Sequence, residues 1–251
     1  MHRQGVTLTK PGRFLSLAAL WLTMLLPPAL LQFTDINLFP LIALDGTAAS
    51  FFYGITFSGT APWGAITAAA VVAYGFVSLS RIQATRLLLA AALALGAGLL
   101  LNETLKSRFD APRPNAEYLA KAGLLDLEQF YRQAKAGRQA MMSGLMQAPP
   151  PVIPKMSAAI NGHWQQEVGY SFPSGHTLFA VVLSLTACWY FLASGHWLLV
   201  FMLTVWALAM GFSRMLLGMH YSEDVLVATL IALPLSLAGI GTASLLKAAN
   251  K

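Results

Sequence analysis

Charge is scarce in this sequence: Asp, Glu, Lys and Arg make up 10% of its 251 residues, against 57% hydrophobic residues. With a mean hydropathy of +0.62, such a chain has too few polar side chains to cover a water-soluble globule. Cysteine is nearly absent. The single Cys188 lies in an apolar run, which excludes a disulfide framework and a thiolate metal cluster and assigns the thiol to packing. Internal repeats and long low-complexity tracts are also missing, so one domain over residues 1–251 is expected. The net charge of +6 is not gathered into a dense basic tract, which argues against nucleic acid as a partner. Lys and Arg stand instead at the flanks of apolar segments and in one long loop, as topology signals and anion ligands do. Nothing in the pattern implies a cofactor, a bound metal or an obligate protein partner.

What the chain has in abundance is long apolar runs. A helix that crosses a bilayer needs roughly 20 mostly apolar residues. Six stretches approach that length: about Phe14–Phe33, Pro62–Leu79, Leu87–Leu105, Thr177–Ala193, Trp197–Leu217 and Val225–Leu246. The expected fold is all-α and polytopic, with six transmembrane helices. The first stretch follows Arg3, Lys10 and Arg13, as a secretory signal would, but it is longer than a signal core and has no clear small-x-small cleavage site. It therefore reads as an uncleaved span, bent at Pro27-Pro28. Gly59, Gly64, Gly96 and Gly98 suggest close helix packing.

Placing the N-terminus inside puts Arg3, Lys10, Arg13, Arg81, Arg86, Lys247 and Lys251 in the cytoplasm, whereas the loop 32–61 has no Lys or Arg. That is the asymmetry of the positive-inside rule. The long polar segment from Lys106 to Pro173 then faces outward, together with the turn between spans five and six. This insertion, about residues 107–172, has helical-looking stretches within Glu117–Arg138 and the run Pro149-Pro150-Pro151. Two readings of it stay open, an interfacial cap on the headgroups and a solvated loop.

Three clusters of chemically capable residues fall on that outer face. Lys106 and Arg113-Pro114 follow span three, where headgroup snorkelling is the simple explanation. Pro173-Ser174-Gly175-His176 leads into span four: it is either an ordinary cap made by Ser174, or a helix N-terminus whose free N–H groups cradle an anion. Ser213-Arg214, His220 and Asp224 surround the last turn. Arg214 sits near the end of an apolar span and demands an anionic partner or an aqueous pocket. His220 and Asp224 are four residues apart, so that one helical face could hold both and the carboxylate could orient the imidazole. Convergence of three cations, two histidines, a carboxylate and a helix N-terminus on one face supplies what phosphoryl transfer needs: cations around the non-bridging oxygens, an in-line nucleophile and an acid at the leaving oxygen.

The pattern Lys106-x6-Arg113-Pro114, Pro173-Ser174-Gly175-His176 and Ser213-Arg214-x5-His220-x3-Asp224 resembles the type 2 phosphatidic acid phosphatase superfamily. The large insertion, with His163-Trp164-Gln165-Gln166-Glu167 near its end, is similar to the bacterial phosphatidylglycerophosphatase B and undecaprenyl-diphosphate phosphatase branch. The resemblance implies His220 as nucleophile, His176 as general acid and base, and Asp224 as the group that orients His220. It implies Lys106, Arg113, Ser174, Gly175 and Arg214 as phosphate ligands. It also implies a metal-independent hydrolase of the inner membrane acting on lipid phosphates, among them phosphatidylglycerol phosphate, undecaprenyl diphosphate, diacylglycerol pyrophosphate and phosphatidic acid. Two rivals remain open, a phosphotransferase that passes the group to another lipid and a transporter of anionic lipids.

Overall fold

The computed structural model describes residues 9–246; Arg3, Lys247 and Lys251, counted above among the topology signals, lie outside them. Among the described residues there is no strand, only an isolated bridge between Leu44 and Met156. Eleven helices follow one another: α1 Lys10–Phe33, α2 Thr47–Phe57, α3 Trp63–Ser78, α4 Arg81–Phe109, α5 Pro114–Lys121, α6 Leu127–Arg132, α7 Lys135–Gln147, α8 Ala158–Gln166, α9 Gly175–Ala193, α10 Trp197–Leu216 and α11 Ser222–Ser244.

Helices α1, α4, α9, α10 and α11 are long and apolar enough to span a bilayer, while α3, the second expected span, has 16 residues. At 1.5 Å per residue α3 covers only about 24 Å of the ~30 Å hydrocarbon layer. It is preceded by α2, an apolar helix of 11 residues within the stretch 32–61 expected to be a loop. The protein is an all-α polytopic membrane protein. In lipid each backbone N–H and C=O must be satisfied within its own segment, and helices do this without help from water.

Helix α9 is the axis of the bundle. It packs against α1, α3, α4, α10 and α11, and its side chains from Leu178 to Leu192 are buried at nearly every position, Cys188 included. The apolar side chains left over, such as Leu15, Leu100, Leu198 and Phe201, point outward, as lipid-facing residues should. Helix α1 runs as one helix through Pro27 and Pro28.

The insertion is a folded cap with a core of its own. Leu119, Phe130, Met142, Ile160 and Trp164 are buried there together with Leu44 from the α1–α2 loop and Leu217 and Met219 from the α10–α11 turn. Trp164 is fully buried and donates its indole N–H to the carbonyl of Leu217 at 3.0 Å. This cluster rules out a loose solvated loop. It also clamps the cap onto the turn that carries His220.

One of the glycine expectations needs amendment. Gly59 packs tightly, since a methyl group there would meet Met210 at 2.8 Å and His176 at 3.3 Å, but a methyl at Gly96 would meet nothing within 4 Å. Gly96 instead borders a cavity between α3, α4 and α9, whereas the buried Gly98, also on its wall, packs against Leu235 of α11 and Leu178 of α9.

Candidate active site

Four helix ends meet at one end of the bundle: the C-termini of α4 and α10 and the N-termini of α9 and α11. The three sequence clusters sit on them. Helix α4, at 29 residues, is about 44 Å long, so its last turn carries Lys106 beyond the apolar layer. The left-handed residue Asp110 then ends α4 and turns the chain toward Arg113, which caps α5 with Pro114 in the first helical position.

His220 lies in the turn before α11, two residues outside the helix, so it shares no helical face with Asp224. The contact forms nevertheless. Asp224 is in the first turn of α11, where its Oδ2 accepts the Tyr221 backbone N–H at 2.9 Å and lies 3.2 Å from His220 Nδ1. With Nδ1–H donated to the carboxylate, the lone pair of the imidazole is on Nε2. Nε2 is 3.4 Å from the guanidinium of Arg113.

Both arginines are buried. Arg113 donates to the carbonyls of Gly169 and Met219 at 2.7 and 3.2 Å and pairs with Glu167 at 3.1 Å. Arg214 is 0% exposed; it lies 2.8 Å from His163 Nε2 and 3.7 Å from Glu167. Its Nε and one terminal nitrogen have no hydrogen-bond partner. A charged donor buried without an acceptor is costly, and an anion placed there would satisfy both nitrogens.

The sequence offers His163 and Glu167 only as a point of likeness, and the structure makes them the counterparts of the two arginines. Burial works against the Glu167 carboxylate, but Arg113 and Arg214 outweigh it and hold its pKa well below the usual range. Burial and then Arg214 push His163 down to about 3, so it is a neutral acceptor to the arginine. His220 is likewise lowered well below 6.5, first by burial and then by the charges of Arg113, Arg214, Lys106 and His176. Lys106, Arg113, Arg214 and His176 are thus the charges that act on this imidazole.

His176 stands in the first turn of α9 with Nε2 3.0 Å from the Thr60 hydroxyl, a partner not foreseen from sequence. Ser174 caps α9: its hydroxyl accepts the Thr177 N–H at 3.4 Å, contacts the Thr177 hydroxyl at 2.9 Å, and its own N–H donates to the Asp224 carbonyl. The first N–H groups of α9, on Gly175 and His176, have no acceptor inside the helix. Gly175 lets α4 come close, a methyl there meeting Asn102 at 3.1 Å.

Two cavities reach the site. One of about 600 Å³ opens between α3, α4 and α9, walled by Ala65, Leu95, Gly96 and Leu99, with His176 and Asn102 among its lining. The other, about 120 Å³, is lined by His220, Tyr221, Tyr118 and Lys121 beneath the cap. Among the described residues no three His, Cys, Asp or Glu side chains are grouped to hold a metal ion.

An all-α membrane protein with buried arginines, two histidines and a helix N-terminus at one end has the inventory of a phosphoric ester hydrolase. Comparison with known proteins gives the particular kind. The model of the PAP2 superfamily matches residues 87–243, a range that holds all three clusters, and the chain belongs to that superfamily. It is similar to phosphatidylglycerophosphatase B of Escherichia coli strain K12, 35% identical over 184 residues that cover 72% of this chain and 70% of the relative. It is also similar to phosphatidylglycerophosphatase B of Haemophilus influenzae, 39% identical over 140 residues, or 51% of this chain and 53% of that protein. The chain is a membrane lipid phosphatase.

Proposed function

We propose that the protein hydrolyses phosphate mono- and diphosphate esters of membrane lipids through a phosphohistidine on His220. The observation that carries this reading is the fully buried Arg214 with two unsatisfied nitrogens, at the same helix ends as a histidine whose Nε2 carries the lone pair and faces Arg113. The phosphoryl oxygens would take the donors of Lys106, Arg113, Arg214 and the Gly175 and His176 N–H groups. Ser174, with its hydroxyl engaged in the cap, acts by holding those N–H groups in place. His220 Nε2 attacks phosphorus, and the P–O bond to the lipid breaks as His176 gives its proton to the leaving oxygen. Neutral His176 then takes a proton from water, whose oxygen attacks the phosphohistidine and releases inorganic phosphate. Asp224 keeps the Nδ1–H tautomer of His220 in both steps.

The site's cations neutralise the charge that a metal would otherwise meet, so the reaction proceeds without one. Every residue the site uses comes from one chain, and the mechanism needs no obligate protein partner; residues 1–251 work as one phosphatase domain. The apolar cavity beside His176 suits lipid tails, and the small one beside His220 suits water and departing phosphate. The curated relatives bear the name phosphatidylglycerophosphatase B, which makes phosphatidylglycerol phosphate the first substrate to try. Undecaprenyl diphosphate, diacylglycerol pyrophosphate and phosphatidic acid present the same terminal phosphate on an apolar anchor.

The test is phosphate release from the purified protein with excess chelator, given phosphatidylglycerol phosphate or undecaprenyl diphosphate in detergent. Release by the wild type, lost by at least ~100-fold in His220→Ala and in His176→Ala, is the expected result. Phosphate appearing on a second lipid instead of in solution would make the protein a transferase, and activity restored only by Mg²⁺ would overturn the metal-free mechanism.

The Lys and Arg asymmetry supports an inner-membrane orientation with cytoplasmic termini and an outward-facing active site. A cysteine placed at exposed Arg132 should then react, in intact spheroplasts, with an impermeant maleimide; labelling only after lysis would reverse the topology.

A further inference from the structure

The ten acidic side chains are Asp35, Asp45, Glu103, Asp110, Glu117, Asp126, Glu128, Glu167, Glu223 and Asp224. The segments that carry them, from the end of α1 to the α2 start, the last turns of α4, the cap and the first turn of α11, are all at the active-site end. The opposite end therefore has no Asp or Glu, whereas Lys10, Arg13, Arg81 and Arg86 are all located there. A cavity of about 670 Å³ opens at that end between α1, α4, α9 and α11, lined by Lys10, Arg13, Arg86, Gln83, Trp189 and Tyr190 among others.

Its polar groups are incompletely used. The Tyr190 hydroxyl has no hydrogen-bond partner among the described residues although the residue is only 4% exposed, and Arg13 Nε is buried and equally unpaired. Arg13 is held by its face against the Trp189 ring, 4.5 Å from the centroid, which leaves its edge N–H groups available. Arg86 is engaged, donating to the Leu246 carbonyl at 2.6 and 3.2 Å. Cations, an aromatic pair and an unpaired hydroxyl, gathered in a pocket between spans and open at the membrane surface, are what a lipid phosphodiester finds complementary.

We propose that this cavity binds the phosphodiester headgroup of an anionic phospholipid, at the end of the molecule opposite the active site. The Tyr190 hydroxyl and Arg13 Nε donate to the phosphate oxygens, Lys10 supplies a second charge at the rim, and the acyl chains lie along the exposed apolar sides of α1 and α4. The proposal does not depend on the catalytic mechanism or on which leaflet faces the cytoplasm. A free phosphate ion offers the same oxygens without the tails, so the two sources must be distinguished.

The experiment is native mass spectrometry of the full-length protein in mild detergent, titrated with dioleoyl-phosphatidylglycerol, dioleoyl-phosphatidylcholine or inorganic phosphate. The wild type should retain one phosphatidylglycerol per chain in preference to phosphatidylcholine, with inorganic phosphate failing to displace it. Arg13→Gln combined with Lys10→Gln should weaken retention by about tenfold or more, while phosphate release from lipid substrate in the same preparation, which reports an intact fold, stays within about twofold. Equal retention in wild type and variant, equal retention of phosphatidylcholine, or binding of inorganic phosphate in place of lipid would each overturn the proposal. Should the double variant not fold, Lys10→Gln alone changes an exposed residue and should still weaken retention severalfold; unchanged retention there would also count against it.

Discussion

In the proposed mechanism His220 must be a neutral imidazole to attack phosphorus, and its surroundings favour the neutral form. Burial and the adjacent Arg113, Arg214, Lys106 and His176 charges all disfavour the imidazolium, so protonation, which would inactivate the nucleophile, occurs only well below pH 6.5. After correction for the substrate phosphate, whose own second ionisation is near 6, the acid limb of kcat/KM should therefore lie well below pH 6.5. A limb at 6.5 would mean that His220 is solvated or is not the group that attacks. Stability responds to acid by a separate route. His163 has a folded pKa near 3 against an ordinary value of 6.5, so in that interval the unfolded chain binds a proton that the folded one refuses. Its contribution is complete above pH 6.5 and is lost as the pH falls from there toward 3. Glu167, with its pKa lowered, remains a carboxylate through the same window and keeps its hold on both arginines.

At the scale of elements, the short helices of the cap govern how firmly the site is built. Trp164 in α8 fills the cap core and ties to the Leu217 carbonyl, while His163 beside it reaches Arg214. Trp164→Ala should cost about 3–5 kcal/mol, seen as a lower midpoint in thermal unfolding in detergent. It should also depress phosphate release, because Leu217 begins the turn that carries His220; full activity in a destabilised variant would show that the turn is held by α10 and α11 alone. These elements also separate what the sequence made legible from what it did not. Lys106, Arg113, Ser174, His176, Arg214, His220 and Asp224 could be placed because each lies at the end of an apolar run, and run ends are visible in one dimension. Glu167 and His163 could not, since their work is done on Arg214, 47 and 51 positions away in the chain, and only a tertiary contact reveals it. The cap's helices, some of only 6 to 9 residues, are too short to show a period. Helix α2 was hidden for the same reason, being half the length of a span.

For the whole molecule, the apolar cavity between the short α3, the long α4 and α9 ends at His176. A lipid in the bilayer can enter there sideways with its tails still among apolar side chains, so that only the phosphate leaves the headgroup layer. On the proposed mechanism the tails would contribute binding through apolar area removed from lipid or water, and the phosphate would be held in line by the site's cations. Gly96 borders this cavity with open space in front of it, so a large side chain can be introduced without disturbing the bundle. Gly96→Trp should lower kcat/KM for a long-chain lipid phosphate by about tenfold or more, since full burial of a large apolar group is worth about 1.5–3 kcal/mol. Release of phosphate from a short-chain, water-soluble analogue, which has no need of the cavity, should change by less than about threefold. Equal losses for both substrates would place the effect on the histidines themselves, and no loss for either would mean that lipid reaches the site by another path, the small opening beside His220 being the remaining one.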